Sequence, residues 1–128
     1  MMTTKVMVVG SEKGNPKRRP RIRLAGFWLN EIGFKYESLA TAEYEPGRIV
    51  IKLQGSGIDT YSRVIKEVLA SKGGLLQVRL EWHNKKKTPH LEIKGLWLEN
   101  FGFTIGSVII LQIEYGVINI RLVDLDKL

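Results

Sequence analysis

Ten cationic residues and two histidines are the groups in this chain whose type and spacing suit chemistry on a phosphate backbone. Lys13, Lys17, Arg18, Arg19, Arg21 and Arg23 fall within residues 12–23, opposed there only by Glu12. Lys85, Lys86, Lys87 and Lys94 fall within residues 83–94, opposed only by Glu92. Together the two segments carry +8, more than the +7 of the whole 128-residue chain, so the remainder is slightly acidic. Cations concentrated in this way attract polyanions and hold phosphate through charge-assisted hydrogen bonds. Arginine presents a planar fork that fits phosphate and guanine edges, whereas lysine acts as a point charge. The first segment is therefore the better candidate for specific contacts, and the second for added affinity.

His83 and His90 flank the second cluster, in the run Trp82-His-Asn-Lys-Lys-Lys-Thr-Pro-His90. Metal-independent RNA cleavage needs a base for the 2′-OH, an acid for the leaving oxygen and a cation at the phosphate, which makes this pair the candidate catalytic set. Against it, the first cluster carries Arg21 where the second has His90, and a histidine among lysines is ordinarily a solvated neighbour. Metal-dependent cleavage would need grouped carboxylates, but Glu31, Glu37, Glu43, Glu45, Glu99, Asp124 and Asp126 are scattered and follow no metal-ligand spacing. No metal or other cofactor is expected. The residues support nucleic-acid binding better than catalysis, and whether the chain is an enzyme stays open.

The elements that carry these residues are written twice. Pro20 to Leu53 recurs 69 residues later as Pro89 to Leu122, with Gly26/Gly95, Trp28/Trp97, Leu29/Leu98, Gly33/Gly102, Phe34/Phe103, Ser38/Ser107, Gly47/Gly116, Ile49/Ile118 and Ile51/Ile120 in register without a gap. Each copy reads as strand, cationic loop, strand, short helix and hairpin. Ile22 and Leu24 alternate with Arg21 and Arg23, the pattern of a strand with one buried face. About two helical turns follow from Gly26 to Ile32, closed by Gly33, and the same device recurs at Gly102. Leu39 to Glu45 and Arg48 to Leu53 are expected to form a hairpin about Pro46-Gly47, and Val108 to Glu114 and Val117 to Leu122 another about Tyr115-Gly116. Trp28 and Trp97 are read as packing anchors rather than base-stacking groups, and Gly33 and Gly102 as structural. Residues 55–74, with Ile58, Tyr61, Ile65, Val68 and Leu69 at helical spacing, form a connector helix between units 1–54 and 75–128.

Each unit alone is near the size at which a core becomes marginal, so the two are expected to share one core as a single domain. The chain has no cysteine, and thus no disulfide or thiolate chemistry. No apolar run approaches the roughly 20 residues of a membrane span, and the first residues lack the apolar stretch of a signal peptide, so a soluble cytoplasmic protein without membrane contact is expected.

The motif Pro-x-apolar-x-apolar-x-Gly-x-Trp-Leu-x-x-x-Gly-Phe, followed by a hairpin with glycine at its turn, resembles the SymE toxin family of bacterial toxin–antitoxin systems, related to the AbrB-type swapped-hairpin fold. The second copy is the closer match, since the first has Tyr36-Glu37-Ser38 where the family usually carries a glycine. The resemblance implies a mainly β fold with short helices, in which two strand-helix-hairpin repeats form an intrachain pseudo-dimer of the swapped-hairpin barrel, plus the connector helix. A monomer acting as a pseudo-dimer departs from the usual single-unit protein. It further implies an RNA-binding toxin that promotes RNA cleavage, with an antitoxin as possible partner. AbrB-type binding of duplex DNA without catalysis is the alternative, and a protein-binding, antitoxin-like module is a third. RNA is favoured by the resemblance alone, because one cationic surface can follow either backbone.

Overall fold

Period-two alternation and glycine turns decide most of the secondary structure. The computed structural model describes residues 2–12, 18–71, 74–83 and 85–127. In chain order the elements are β1 (Thr3–Val8), β2 (Gly10–Ser11), β3 (Pro20–Ala25), α1 (Trp28–Glu31), β4 (Leu39–Glu45), β5 (Arg48–Gly55) and α2 (Ile58–Ser71). Then come β6 (Gly74–Gln77), β7 (Arg79–His83), β8 (Lys86–Lys94), a 3-10 helix (Leu96–Phe101), β9 (Val108–Glu114), β10 (Val117–Leu122) and a second 3-10 turn (Leu125–Lys127). In β3, Ile22 and Leu24 are buried while Arg21 and Arg23 are turned outward. The expected two-turn helix is shortened in the first half, where α1 has one α turn, and is present in the second as a six-residue 3-10 helix. Six residues separate the two glycines that bracket each of them, and the second helix fills that span while α1 takes four of its residues.

The fold is mainly β, built from two antiparallel sheets. Six strands lie in the order β1-β9-β10-β5-β4-β6 and four in the order β2-β3-β8-β7. The chain passes from one sheet to the other at Val9 and at Val78, both buried, so β1 runs on into β2 and β6 into β7. Each hairpin is flanked by a strand from the other half of the chain: β1 pairs with β9, and β6 pairs with β4. At the sheet centres, Arg23 lies opposite Glu92 and Val50 opposite Asn119. Both pairs are separated in sequence by the offset of the repeat, 69 residues. Ile22, Leu24, Leu91 and Ile93 of the small sheet close on Ile49, Ile51, Ile109, Leu111, Ile118 and Ile120 of the large one, with Leu29, Phe34, Leu98 and Phe103 filling the same core. Full burial of each such side chain is worth roughly 1.5–3 kcal/mol, so this shared interior is the main stabilising term. No helix among the described residues is long and apolar enough to cross a membrane.

The helix-closing device is the same in both halves. Phe34 N–H donates to the Leu29 carbonyl and Phe103 N–H to that of Leu98, with Gly33 and Gly102 at positive φ. α2 packs on β4, β5 and β6 and buries Val64 fully. A difference between the halves appears just before each hairpin. Ser38 Oγ accepts from Lys35 N–H and Ser107 Oγ from Thr104 N–H, yet the residue before the serine is Gly106 at φ 90° in one turn and Glu37 at φ 69° in the other. A side chain at positive φ costs about 1–2 kcal/mol, of which glycine's extra chain entropy returns about half. Glu37→Gly is therefore expected to raise stability by about 0.5–1 kcal/mol, read as a higher urea midpoint with an unchanged slope.

Candidate nucleic-acid interface

The outward face of the four-stranded sheet gathers charges that are distant in sequence. Cross-strand register sets Arg21 beside Lys94, Arg23 beside Glu92, and His90 between Ala25 and Arg79. Arg21 reaches Glu92 with Nη2 at 2.7 Å and donates from Nε at 2.9 Å. Lys94 Nζ lies 3.2 Å from the other oxygen of Glu92 and 3.4 Å from Glu12. Arg23 is paired with Glu81 on β7. Three of the ten cations that the sequence nominates are thus neutralised within the sheet face. Cross-strand ion pairs of this kind orient side chains, and the charge they leave for a ligand is small.

The remaining cations stand at the loops. Arg18 and Arg19 are exposed where the first loop returns to β3, and Lys85, Lys86 and Lys87 are exposed at the β7–β8 tip. None of these five has an ion-pair partner among the described residues. Lys87 Nζ sits 5.5 Å from the centre of the Trp82 ring. Lys13 and Lys17 lie outside the described residues. Among the described residues the two basic segments stand apart rather than side by side. Antiparallel pairing of β3 with β8 about Arg23 and Glu92 sends the first loop to the Lys94 end and the second to the Lys86 end. Eight residue steps separate those ends, about 26 Å along an extended strand.

The two histidines are not brought together. His83 pairs with Lys86 at the hairpin tip and His90 with Arg79, four steps away, or about 13 Å along the ladder. His90 is mostly buried, with Nε2 3.9 Å from Glu92 and Nδ1 enclosed without a hydrogen-bond partner. Acid–base cooperation needs both groups within hydrogen-bond reach of one phosphate, so the two imidazoles would have to reach toward each other across that length of ladder. Among the described residues, no three acidic or histidine side chains are grouped to hold a metal ion. Trp28 and Trp97 are half-exposed: each indole folds back to donate to the carbonyl three residues earlier, Ala25 at 3.0 Å and Lys94 at 3.2 Å. Trp97 also meets Tyr44 edge-on, and burial pushes the Tyr44 hydroxyl up to about 12.

Glu81, Glu92 and Arg79 were not legible as site residues, because their roles depend on strand register. The hydrogen bond from Arg23 holds Glu81 below the ordinary glutamate range. Partial burial pushes Glu92 up, but hydrogen bonds from Lys94 and Arg21 together with their charges outweigh it, and the carboxyl sits below its ordinary value. A depressed carboxylate contributes stability above its unfolded pKa, about 4.3, and loses it as pH falls through the folded value. Acid titration of wild-type stability is therefore expected to fall below about pH 4.3, and Glu92→Gln to lower the neutral plateau and flatten that limb in urea melts across pH. Comparison of the chain with protein-family models, curated proteins and solved structures found no match.

Proposed function

We propose that this chain is a SymE-like, AbrB-related nucleic-acid-binding protein whose two halves act as the two protomers of an intrachain swapped-hairpin dimer. The observation that carries the binding reading is the partition of charge: Arg21, Arg23 and Lys94 on the sheet face are paired with carboxylates, while Arg18, Arg19, Lys85, Lys86 and Lys87 are exposed at two loops without an ion-pair partner among the described residues. Phosphate contacts of that kind dominate nucleic-acid affinity. The pseudo-dimer reading is supported by the reciprocal lending of β1 and β6 and by the shared 69-residue offset. RNA is the target and a toxin–antitoxin pair the setting by the family resemblance. The separation of His83 from His90 favours holding RNA over cutting it.

Duplex DNA is the second reading, favoured by one observation. The loops stand at opposite ends of a face that is symmetric about the Arg23–Glu92 pair, and a two-fold surface suits a two-fold duplex. The test is fluorescence anisotropy with labelled single-stranded RNA, an RNA hairpin and duplex DNA across a salt series, with the RNA then run on a denaturing gel with and without EDTA. Tight, steeply salt-dependent RNA binding with intact RNA is expected. Preference for duplex DNA would replace the first reading by the second, and binding that ignores salt would sink both in favour of a protein-binding module. RNA fragments formed in EDTA and absent with a His83→Ala/His90→Ala protein would restore a nuclease.

A further inference from the structure

The most exposed tryptophan is neither of the repeated ones. Trp82 on β7 is 68% exposed, and it lies on a groove of about 470 Å³ shared with Tyr36, itself 55% exposed, and with Leu80, Arg79 and Lys87. The groove is built rather than incidental. Glu37 N–H donates to the Val78 carbonyl at 3.0 Å, which ties the turn bearing Tyr36 to the bend between β6 and β7. Lys87 is already drawn over the Trp82 ring. In the other half the positions one repeat away from Tyr36, Leu80 and Trp82 are Ile105, Ser11 and Lys13, so the aromatic lining belongs to one half only.

We propose that this groove binds single-stranded nucleic acid, stacking unpaired bases on Trp82 and Tyr36 while Lys87 and Arg79 hold the adjoining phosphates. An aromatic ring beside a cation fits a base next to its phosphate, and the π-face of a base is free for stacking only when the strand is unpaired. The volume falls in the range of small-ligand clefts, so one or two bases enter rather than a helix. The proposal rests on the nucleic-acid reading above and deepens it by naming the strand state. It assigns the recognition of single strands to the second basic hairpin and leaves Arg18 and Arg19 to hold the backbone.

The experiment titrates full-length protein with labelled oligo(U) and with an RNA hairpin duplex, following anisotropy and tryptophan emission together. Trp82→Ala is expected to weaken oligo(U) binding by roughly tenfold to a hundredfold and to abolish most of the emission quenching. The same variant should bind the duplex within about twofold of wild type and keep the salt slope, since every phosphate-binding cation is retained. Trp82→Phe should retain most of the single-strand affinity, and far-UV circular dichroism checks that each variant is folded. Unchanged oligo(U) binding by Trp82→Ala, or equal losses on single strand and duplex, would overturn this inference alone. A wild-type protein that binds no nucleic acid would overturn it together with the reading beneath it.

Discussion

A Gly95→Ala protein is expected to lose about 3–5 kcal/mol of stability, the sum of a strained backbone at about 1–3 and a broken hydrogen bond at about 0.5–1.5, with a steric term added. Gly95 has φ 141° and ψ 157°, a region open essentially to glycine. A Cβ built there would lie 2.3 Å from Trp97 Nε1 and 2.5 Å from its Cδ1. The indole would have to leave the Lys94 carbonyl and its edge-on packing with Tyr44. Gly26 and Trp28 repeat the arrangement, with φ 138° and a Cβ 2.6 Å from the indole. The Gly-x-Trp of the repeated motif is thus one device, in which glycine leaves room for an indole that caps the end of its own strand. Small domains are stable by only about 5–15 kcal/mol in total, so the effect is large. Urea melts of Gly95→Ala in wild-type and Trp97→Ala backgrounds check it. In the second background the cost should shrink to the backbone term, and an equal cost in both would show that the indole is not the reason.

Removing the five exposed loop cations together, as Arg18→Ala/Arg19→Ala/Lys85→Ala/Lys86→Ala/Lys87→Ala, should weaken RNA binding by about a hundredfold or more near physiological salt. It should also reduce the log–log salt slope by roughly 0.7 for each single-strand phosphate that is no longer neutralised. Arg21→Ala/Lys94→Ala removes two charges from the same sheet, but both are offset by Glu92 and Glu12, so its slope should change by less than about one unit. Stability should separate the two variants in the opposite sense. The loop residues touch little and should cost within about 0.5 kcal/mol, whereas removing Arg21 and Lys94 leaves the part-buried Glu92 without its hydrogen-bond donors. Equal salt slopes for the two variants would mean that the ligand covers the sheet face and displaces its internal ion pairs.

How much of the fold and the interface is legible in the sequence follows from how local each cause is. Alternation in Pro20–Ala25, the glycine turns of both hairpins, and the Gly-Phe closures at Gly33 and Gly102 depend on a few consecutive residues and on backbone conformations open to glycine. The structure has all of these, and a helix beginning at Ile58. The tryptophans pack as expected, Trp28 against the core and Trp97 against Tyr44 and Phe101, but nothing in the spacing Gly-x-Trp says that each indole also turns back to donate to its own strand. Trp82 carries no signal of its own within a lysine-rich run, since its exposure depends on where the turn at Tyr36 comes to rest.

The matched copies in the sequence, their alternating strands and glycine turns, and the two segments that hold the positive excess are readable without a fold, because they are properties of neighbours along the chain. Which of the described cations lack an ion-pair partner depends on long-range pairing instead. Arg21 meets a glutamate 71 residues away and Arg23 one 58 residues away. Antiparallel pairing about Arg23 and Glu92 then sends the two basic loops to opposite ends of one sheet. Charge can be counted along one dimension, but its neutralisation and direction are set by strand register, which long-range burial of Ile22, Leu24, Leu91 and Ile93 imposes.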